Sequence, residues 1–133
     1  MADHQLTRNQ SLVFDALTHA EAPLSAYTIL DKLRDDGFRA PLQVYRALEK
    51  LLEFGLVHRL ESINAFVACA HPHDHDHNHG VTAFTICEDC GNVTEICDDG
   101  IEERLSFLTA RQQFKTEKTT IEIRGHCQTC CAA

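Results

Sequence analysis

The stretch APLQVYRALEKLLEFGLVHRLESINAFVAC, residues 40–69, joins a helical pattern directly to a strand pattern. Pro41 is suited to the first turn of a helix, and Gly55 is suited to its end. The apolar positions recur at helical spacing and predict the buried face: Val44, Leu48, Leu51 and Leu52. We therefore expect one amphipathic helix that is followed at once by extended chain.

The extended part of this stretch predicts a β-hairpin. Two short β-prone runs flank the turn residues Glu61–Asn64. A four-residue turn at this point pairs His58 with Val67 and places Cys69 two residues further along the same face. Diagonal neighbours on paired strands lie about 7–8 Å apart, so His58 and Cys69 can share one metal ion.

Two further helices are predicted ahead of this stretch. Thr7, with Gln10 three residues later, has the pattern of a capping box, and Ser25 is a favourable N-cap for a second helix. Gly37 marks the end of that second helix. Three helices followed by a hairpin is the order of a winged helix, whose third helix enters the major groove of DNA.

The second half of the chain predicts a small α/β unit. The segments TAFTIC and NVTEIC have the pattern of strands, and KTTIEIRG is a further strand. Between them a helix begins near Asp98 or Asp99, with an apolar stripe of Ile101, Leu105 and Leu108. Such a unit is too small to be stable without a metal or a partner. The predicted class is α+β, with a winged helix-turn-helix domain (1–69), a histidine-rich hinge loop (70–82) and a small α/β domain (83–133).

Composition limits the classes of function. The chain has 133 residues, 44% of them hydrophobic, which indicates a globular protein. We see no apolar run long enough to span a membrane and no apolar signal region, so we expect a soluble cytoplasmic protein. The net charge is −8, and most of the excess lies in the second half, so any DNA contact requires a local basic face in the first half.

Two cysteine pairs predict a structural zinc site. Cys87 and Cys90 form one CxxC, and Cys127 and Cys130 form another. Paired CxxC groups in a chain without an export signal indicate metal binding before disulfides. Four thiolates in tetrahedral geometry favour Zn²⁺. A redox CxxC or unrelated thiols remain the alternative interpretations.

Histidines alternate along the segment 71–79. For most of them we favour a flexible loop of low metal affinity, because a specific site needs ligands held by rigid elements. His58 and Cys69 offer such elements, and Glu95, in the strand after the first CxxC, is the natural carboxylate ligand. These ligands, with one from the loop, predict a second metal site that joins the two halves.

Several segments together resemble the ferric uptake regulator superfamily, and within it the zinc uptake regulators. They are SAYTILDKLR, QVYRALEKLLEFGLVHRLES, AFVAC, ICEDCGNVTE and GHCQTC. The resemblance covers nearly the whole chain and implies a homodimer that represses zinc uptake genes by binding operator DNA when loaded with zinc. It implies two Zn²⁺ per protomer, one structural and one regulatory. It also implies that residues 83–133 form a zinc-stapled α/β dimerisation domain.

The resemblance also implies roles for individual residues. His58, Cys69 and Glu95 match three regulatory zinc ligands. The fourth ligand is usually a histidine seven residues before the first CxxC, where this chain has Gly80; we choose His79, with His77 as the alternative. Two positions match those that contact DNA bases, Tyr27 and Arg46, and an arginine can bind guanine through two hydrogen bonds.

Three other functions compete with this interpretation. A regulator that senses iron, manganese or nickel shares the same fold, but the sulfur of Cys69 favours zinc. A zinc buffer or chaperone that does not bind DNA would explain the histidine run. An enzyme is disfavoured, because four cysteine ligands leave no open position on the metal.

Overall fold

The computed structural model describes residues 5–69, 81–96 and 98–131, and the chain divides into two compact units, Met1–Pro72 and His73–Ala133. Within the described residues, no helix is both long and apolar enough to span a membrane. The first unit contains α1 (Arg8–Thr18), α2 (Ala26–Lys32), a 3₁₀ turn (Arg34–Asp36), α3 (Pro41–Glu53), β1 (Val57–Leu60) and β2 (Ala65–Ala68). The second contains β3 (Val81–Cys87), β4 (Val93–Ile96), α4 (Asp99–Arg111), β5 (Thr119–Gly125) and α5 (Gln128–Cys131).

The helix starts of the first unit follow the predicted capping residues. The Thr7 hydroxyl accepts a hydrogen bond from the Gln10 backbone N–H, and the Gln10 side chain accepts one from the Thr7 N–H. The Ser25 hydroxyl accepts from the Thr28 N–H and caps α2 in the same way. These side chains satisfy backbone donors that a helix leaves without an internal partner.

The third helix has a different start. Pro41 occupies its first turn, as predicted, and the Gln43 side-chain oxygen accepts hydrogen bonds from the backbone N–H groups of Arg39 and Ala40, at 2.7 and 3.1 Å. Gly55 follows the helix with a φ of 76°, a conformation that favours glycine. The helix is therefore bounded at both ends by local chemistry.

The hairpin has the predicted register. His58 pairs with Val67 and Leu60 pairs with Ala65, so the turn contains four residues. One feature was not predicted: Leu24 forms a β-bridge with Phe66 through two backbone hydrogen bonds, at 2.8 and 3.0 Å. The segment ahead of α2 thus acts as a short third strand beside the hairpin.

The hydrophobic core of the first unit is shared by all three helices and the hairpin. The largest fully buried side chains of this unit come from the three helices, from β1 and from the loop after the 3₁₀ turn: Val13, Ile29, Phe38, Val44, Leu48, Leu51, Val57 and Leu60. This burial orients α3 with its apolar stripe inward, so the opposite face lies in solvent. The winged-helix order predicted from the sequence is confirmed.

The second unit is a three-stranded sheet with the order β4-β3-β5. β3 pairs antiparallel with β4 and parallel with β5, and α4 makes the connection between the two edge strands. Asp98 is the N-cap of α4, since its carboxylate accepts from the Gly100 N–H at 2.8 Å. The helix differs from the prediction in one respect: Leu108, a member of the predicted stripe, is exposed. Within the described residues, no side chain of α4 is fully buried.

Candidate metal centres and nucleic-acid interface

The register of the second sheet brings the two CxxC segments together. β3 ends at Cys87, and its parallel neighbour β5 ends at Gly125, with these two residues directly paired. Parallel strands have their carboxyl ends at the same edge of a sheet. The turn that carries Cys90 therefore starts beside the segment that carries Cys127 and Cys130.

The four sulfur atoms fit a tetrahedral zinc ion. The thiols of Cys87, Cys90, Cys127 and Cys130 all lie within 4.8 Å of one another. The Sγ atoms of Cys90 and Cys127 are 3.7 Å apart, whereas a disulfide bond needs about 2.05 Å. A Zn–S distance of about 2.3 Å in a tetrahedron places its sulfurs about 3.8 Å apart. The donor set thus matches zinc in both chemistry and spacing.

Local hydrogen bonds prepare one of these thiols as a thiolate. The backbone N–H groups of Cys90 and Cys127 lower the pKa of Cys87 to about 6, and the Cys127 N–H lies 3.3 Å from the Cys87 sulfur. Gly91 permits the turn with a φ of 76°. Its N–H donates to the Cys87 carbonyl at 3.0 Å, which closes the turn around the sulfur.

The neighbouring thiols respond in the opposite sense. Hydrogen bonds from the Cys127 and Cys87 side chains raise the pKa of Cys130. At Cys90, the Asn92 N–H lowers the pKa of the thiol. Hydrogen bonds with the Cys87 and Cys127 side chains raise that pKa by more, so the net shift is upward. Neighbouring thiolates repel one another, so the cluster without metal keeps some of its thiols protonated. A bound cation offsets this repulsion, so zinc binding releases protons.

Charged side chains surround this cluster. Asp89 lies 2.6 Å from the Nδ1 atom of His126, and this hydrogen bond raises the pKa of His126. Glu88 accepts from the Arg124 guanidinium at 2.9 Å. All four of these residues lie within the CxxC turn or just ahead of Cys127.

The first unit carries a second pair of donors. The Cys69 backbone N–H donates to the Leu56 carbonyl at 2.8 Å, which continues the hairpin by one more residue. The donor atoms of His58 and Cys69 lie within 4.8 Å of each other. The Nε2 atom of His58 is excluded from solvent. The predicted convergence of these two side chains on one face of the hairpin is confirmed.

The other predicted ligands belong to the second unit or lie outside the described residues. Glu95 is in β4, opposite Phe84, and is half-buried. His77 and His79 lie outside the described residues. The choice between these two histidines therefore stays a prediction.

The residues predicted to contact DNA lie on the surface of the first unit. Tyr27, in the first turn of α2, is 64% exposed, which rules out a role in the core. Arg46 is on the outer face of α3, and within the described residues its guanidinium has no hydrogen-bond or ion-pair partner. Tyr45, next to Arg46 in the sequence, is 43% exposed as well.

A winged helix with an exposed arginine on its third helix, followed by an α/β unit with a four-cysteine cluster, defines a class of winged-helix proteins with an appended metal-binding domain. Residues 2–124 match the model of the ferric uptake regulator family. The chain belongs to that family, as the sequence segments indicated. The predicted α+β class is confirmed with it.

Zinc uptake regulators are among the proteins that this chain resembles. The chain is 38% identical over 127 residues to the zinc uptake regulation protein of Escherichia coli (strain K12), a match that covers 95% of this chain and 72% of that protein. The crystal structure of holo XcZur is 37% identical, with a TM-score of 0.87 over 98% of this chain and 89% of that one. A zinc uptake regulator complexed with zinc and DNA is 35% identical, with a TM-score of 0.89 over 98% of this chain and 86% of that one. The predicted resemblance to the zinc branch is thereby confirmed.

Proposed function

We propose that this protein is a zinc-responsive transcriptional repressor, which binds operator DNA as a zinc-loaded homodimer and represses zinc uptake genes. Its relatives are named for the regulation of zinc uptake, and one of them was solved with both zinc and DNA. A repressor of this kind binds chromosomal DNA, so we propose that the protein is located in the cytoplasm.

The observation that carries the proposal is the donor pair on the hairpin, His58 and Cys69. A structural zinc site in the second unit would be compatible with many functions. Metal ligands on the DNA-binding unit point to a more specific function, because a metal bound there can change how that unit presents α3. A nitrogen and a sulfur ligand on rigid strands also favour zinc over harder cations.

We assign two zinc ions to each protomer. Cys87, Cys90, Cys127 and Cys130 hold the structural ion, which supplies folding free energy to the second unit. His58, Cys69 and Glu95 hold the regulatory ion together with a loop histidine, His79 or His77. Zinc at this second site stabilises the DNA-binding state of the protein, and a ligand can shift such an equilibrium only by its difference in affinity for the two states.

A second copy of the chain is the proposed partner of the exposed apolar side chains of the second unit. Phe107, Leu108, Phe114 and Ile123 are all exposed in the single chain. Ile123 is in β5, an edge strand of the described sheet, and an unpaired edge is a template for another strand. Four large exposed apolar side chains in one small unit favour an interaction site there.

DNA recognition is assigned to Arg46 and Tyr27. An arginine on the outer face of the third helix can reach the O6 and N7 atoms of guanine in the major groove. We expect no catalytic activity, because four cysteine ligands leave the structural zinc no open position for substrate or water.

Zinc-dependent DNA binding tests the proposal. Fluorescence anisotropy with a labelled zinc-uptake promoter fragment should show tight binding at buffered free zinc and weak binding without it. Cys69→Ser should abolish the zinc response, and Arg46→Ala should weaken binding by about 1–3 kcal/mol. Lys115→Ala, which removes an exposed cation of the second unit, is the matched control and should leave DNA binding unchanged.

The same assay separates the competing functions. Equal DNA affinity with and without zinc would contradict the proposal. Binding that responds to buffered manganese, iron or nickel but not to zinc would make the protein a regulator of another metal. Zinc uptake without any DNA binding, in wild type and Arg46→Ala alike, would favour a zinc buffer.

A further inference from the structure

The backbone ladder that joins β3 to β5 stops before it reaches most of the cysteine cluster. Its last pair is Cys87 with Gly125. Three of the four cysteines, Cys90, Cys127 and Cys130, lie beyond that pair. Something other than the sheet must therefore hold the two CxxC segments in register past its end.

Two side-chain pairs span this gap. Glu88 and Asp89 are the two residues between the cysteines of the first CxxC. Arg124 donates to the Glu88 carboxylate through both Nε and Nη2, at 2.9 and 2.7 Å. The Nδ1 atom of His126 lies 2.6 Å from the Asp89 carboxylate.

The geometry of the strand explains why both pairs form on one side. Residues two apart in an extended segment point to the same face, so Arg124 and His126 can meet consecutive residues of the facing turn. Backbone contacts support them: the Glu88 N–H donates to the Gly125 carbonyl at 2.8 Å, and the Cys127 N–H lies 3.3 Å from the Cys87 sulfur. Each segment is thus tied to the other at several points around the cluster.

We propose that Glu88, Asp89, Arg124 and His126 form a clamp of positioning residues, which holds the two CxxC segments at ligand spacing and slows the release of structural zinc. The inference rests on the proposed four-cysteine zinc site and deepens it. Glu88 matches the charge of Arg124, and the Nδ1 atom of His126 faces Asp89. The Glu88–Arg124 pair therefore holds the segments together without adding net charge beside the thiolates.

Charge and exposure set the size of the effect. Zinc leaves only when ligands detach from it, and separation of the two CxxC segments detaches ligands. The clamp opposes that separation. The paired side chains are about half exposed, and exposed pairs contribute little to global stability. The clamp therefore acts on the retention of the metal and leaves the fold of the unit intact.

The test is the rate at which zinc passes from the zinc-loaded, full-length protein to a chromophoric chelator. Glu88→Gln and Arg124→Gln should each accelerate the slow phase by roughly 10-fold, the lower range for residues that support metal ligands. The double variant should be no faster than either single one, because both changes remove the same contact. Arg124→Glu with Glu88→Arg should restore the slow release.

A matched pair elsewhere controls for general loss of an ion pair. Arg34 Nε and Asp31 lie 2.9 Å apart with similar exposure, in the first unit. Arg34→Gln should leave zinc release unchanged. Arg124→Lys retains the positive charge, with a single nitrogen in place of two, and should give an intermediate rate in a protein that folds normally.

The outcomes separate the two proposals. If wild type retains no zinc that depends on Cys127, the four-cysteine site itself is wrong. If zinc depends on Cys127 but leaves at the wild-type rate in both Glu88→Gln and Arg124→Gln, the clamp is wrong and the site stands. Additive effects of the two substitutions would also overturn the clamp, since they would show that the pair does not act as a unit.

Discussion

The two units of the chain are stabilised in different ways. Within the described residues, sixteen of the buried hydrophobic side chains belong to the first unit and only four to the second: Ala83, Phe84, Ile86 and Cys87. One of those four is itself a proposed zinc ligand. The first unit therefore has a conventional core, whereas the second needs a metal, a second copy of the chain, or both.

The contrast matches what each unit is proposed to do. A DNA-binding unit has to present α3 in a fixed orientation, and a shared apolar core provides that rigidity. A unit that depends on bound zinc instead couples its integrity to the supply of the ion. The predictions below are ordered from the largest expected effect to the smallest, and each can break or refine this contrast.

Loss of the four-cysteine site should give the largest effect. Cys127→Ser removes one of four zinc ligands, and structural zinc contributes about 10–16 kcal/mol of apparent binding free energy in small domains. We expect the second unit to unfold while the first stays folded. Hydrogen exchange followed by mass spectrometry should show full exchange across β3–β5 and retained protection in α3.

Cys131→Ser is the control for Cys127→Ser. Cys131 is exposed, next to the cluster, and is not assigned as a ligand. Protection of β3–β5 should be unchanged in this variant. A second unit that stays protected in Cys127→Ser, or that unfolds in Cys131→Ser, would refute the assignment.

A cavity in the core of the first unit should destabilise that unit and leave the second unit folded. Leu51 is fully buried, and Leu51→Ala should cost about 2–5 kcal/mol of unfolding free energy. Chemical denaturation should show the loss in the first unit, with zinc content unaltered. Release of the structural zinc from this variant would mean that the two units do not respond independently.

A charge on the proposed dimer surface should have a smaller effect. Ile123 is 50% exposed in β5, and Ile123→Asp should weaken dimerisation by at least tenfold, about 1.4 kcal/mol. Sedimentation equilibrium measures the change. Ile63→Asp is the matched control, because Ile63 is 40% exposed in the hairpin turn of the first unit. Equal effects of the two substitutions would argue against a dimer surface at β5.

The smallest expected effect compares the helix caps of the two units. Asp98→Ala and Ser25→Ala each remove an N-cap hydrogen bond, worth about 1 kcal/mol. α4 buries no side chain, whereas α2 buries three, so loss of the cap should fray α4 more than α2. Amide exchange in the first turn of each helix would reveal this difference, and equal fraying would contradict it.

Local chemistry explains how much of the fold could be predicted from the sequence. Thr7, Ser25 and Pro41 predicted the starts of the three helices of the first unit, because caps depend on neighbours within a few residues. The hairpin register followed from the length of one turn. The four cysteines could be grouped because their spacing carries the chemistry of the site.

The rest depended on contacts between distant residues. The pairing of Leu24 with Phe66, and of Glu88 with Arg124, requires knowledge of which strands are adjacent and in what register. Nothing in the local sequence gives that information. The exposure of Leu108 was missed for a related reason, since helical periodicity identifies an apolar face but not whether the same chain covers it.

The backbone bridge between Leu24 and Phe66 has a consequence for how a metal signal travels. Phe66 is next to Val67, the partner of His58 across the hairpin, and Leu24 is three residues ahead of Tyr27. Two backbone hydrogen bonds join these segments. We therefore expect a displacement of β2 on metal binding to be passed to the residues that lead into Tyr27.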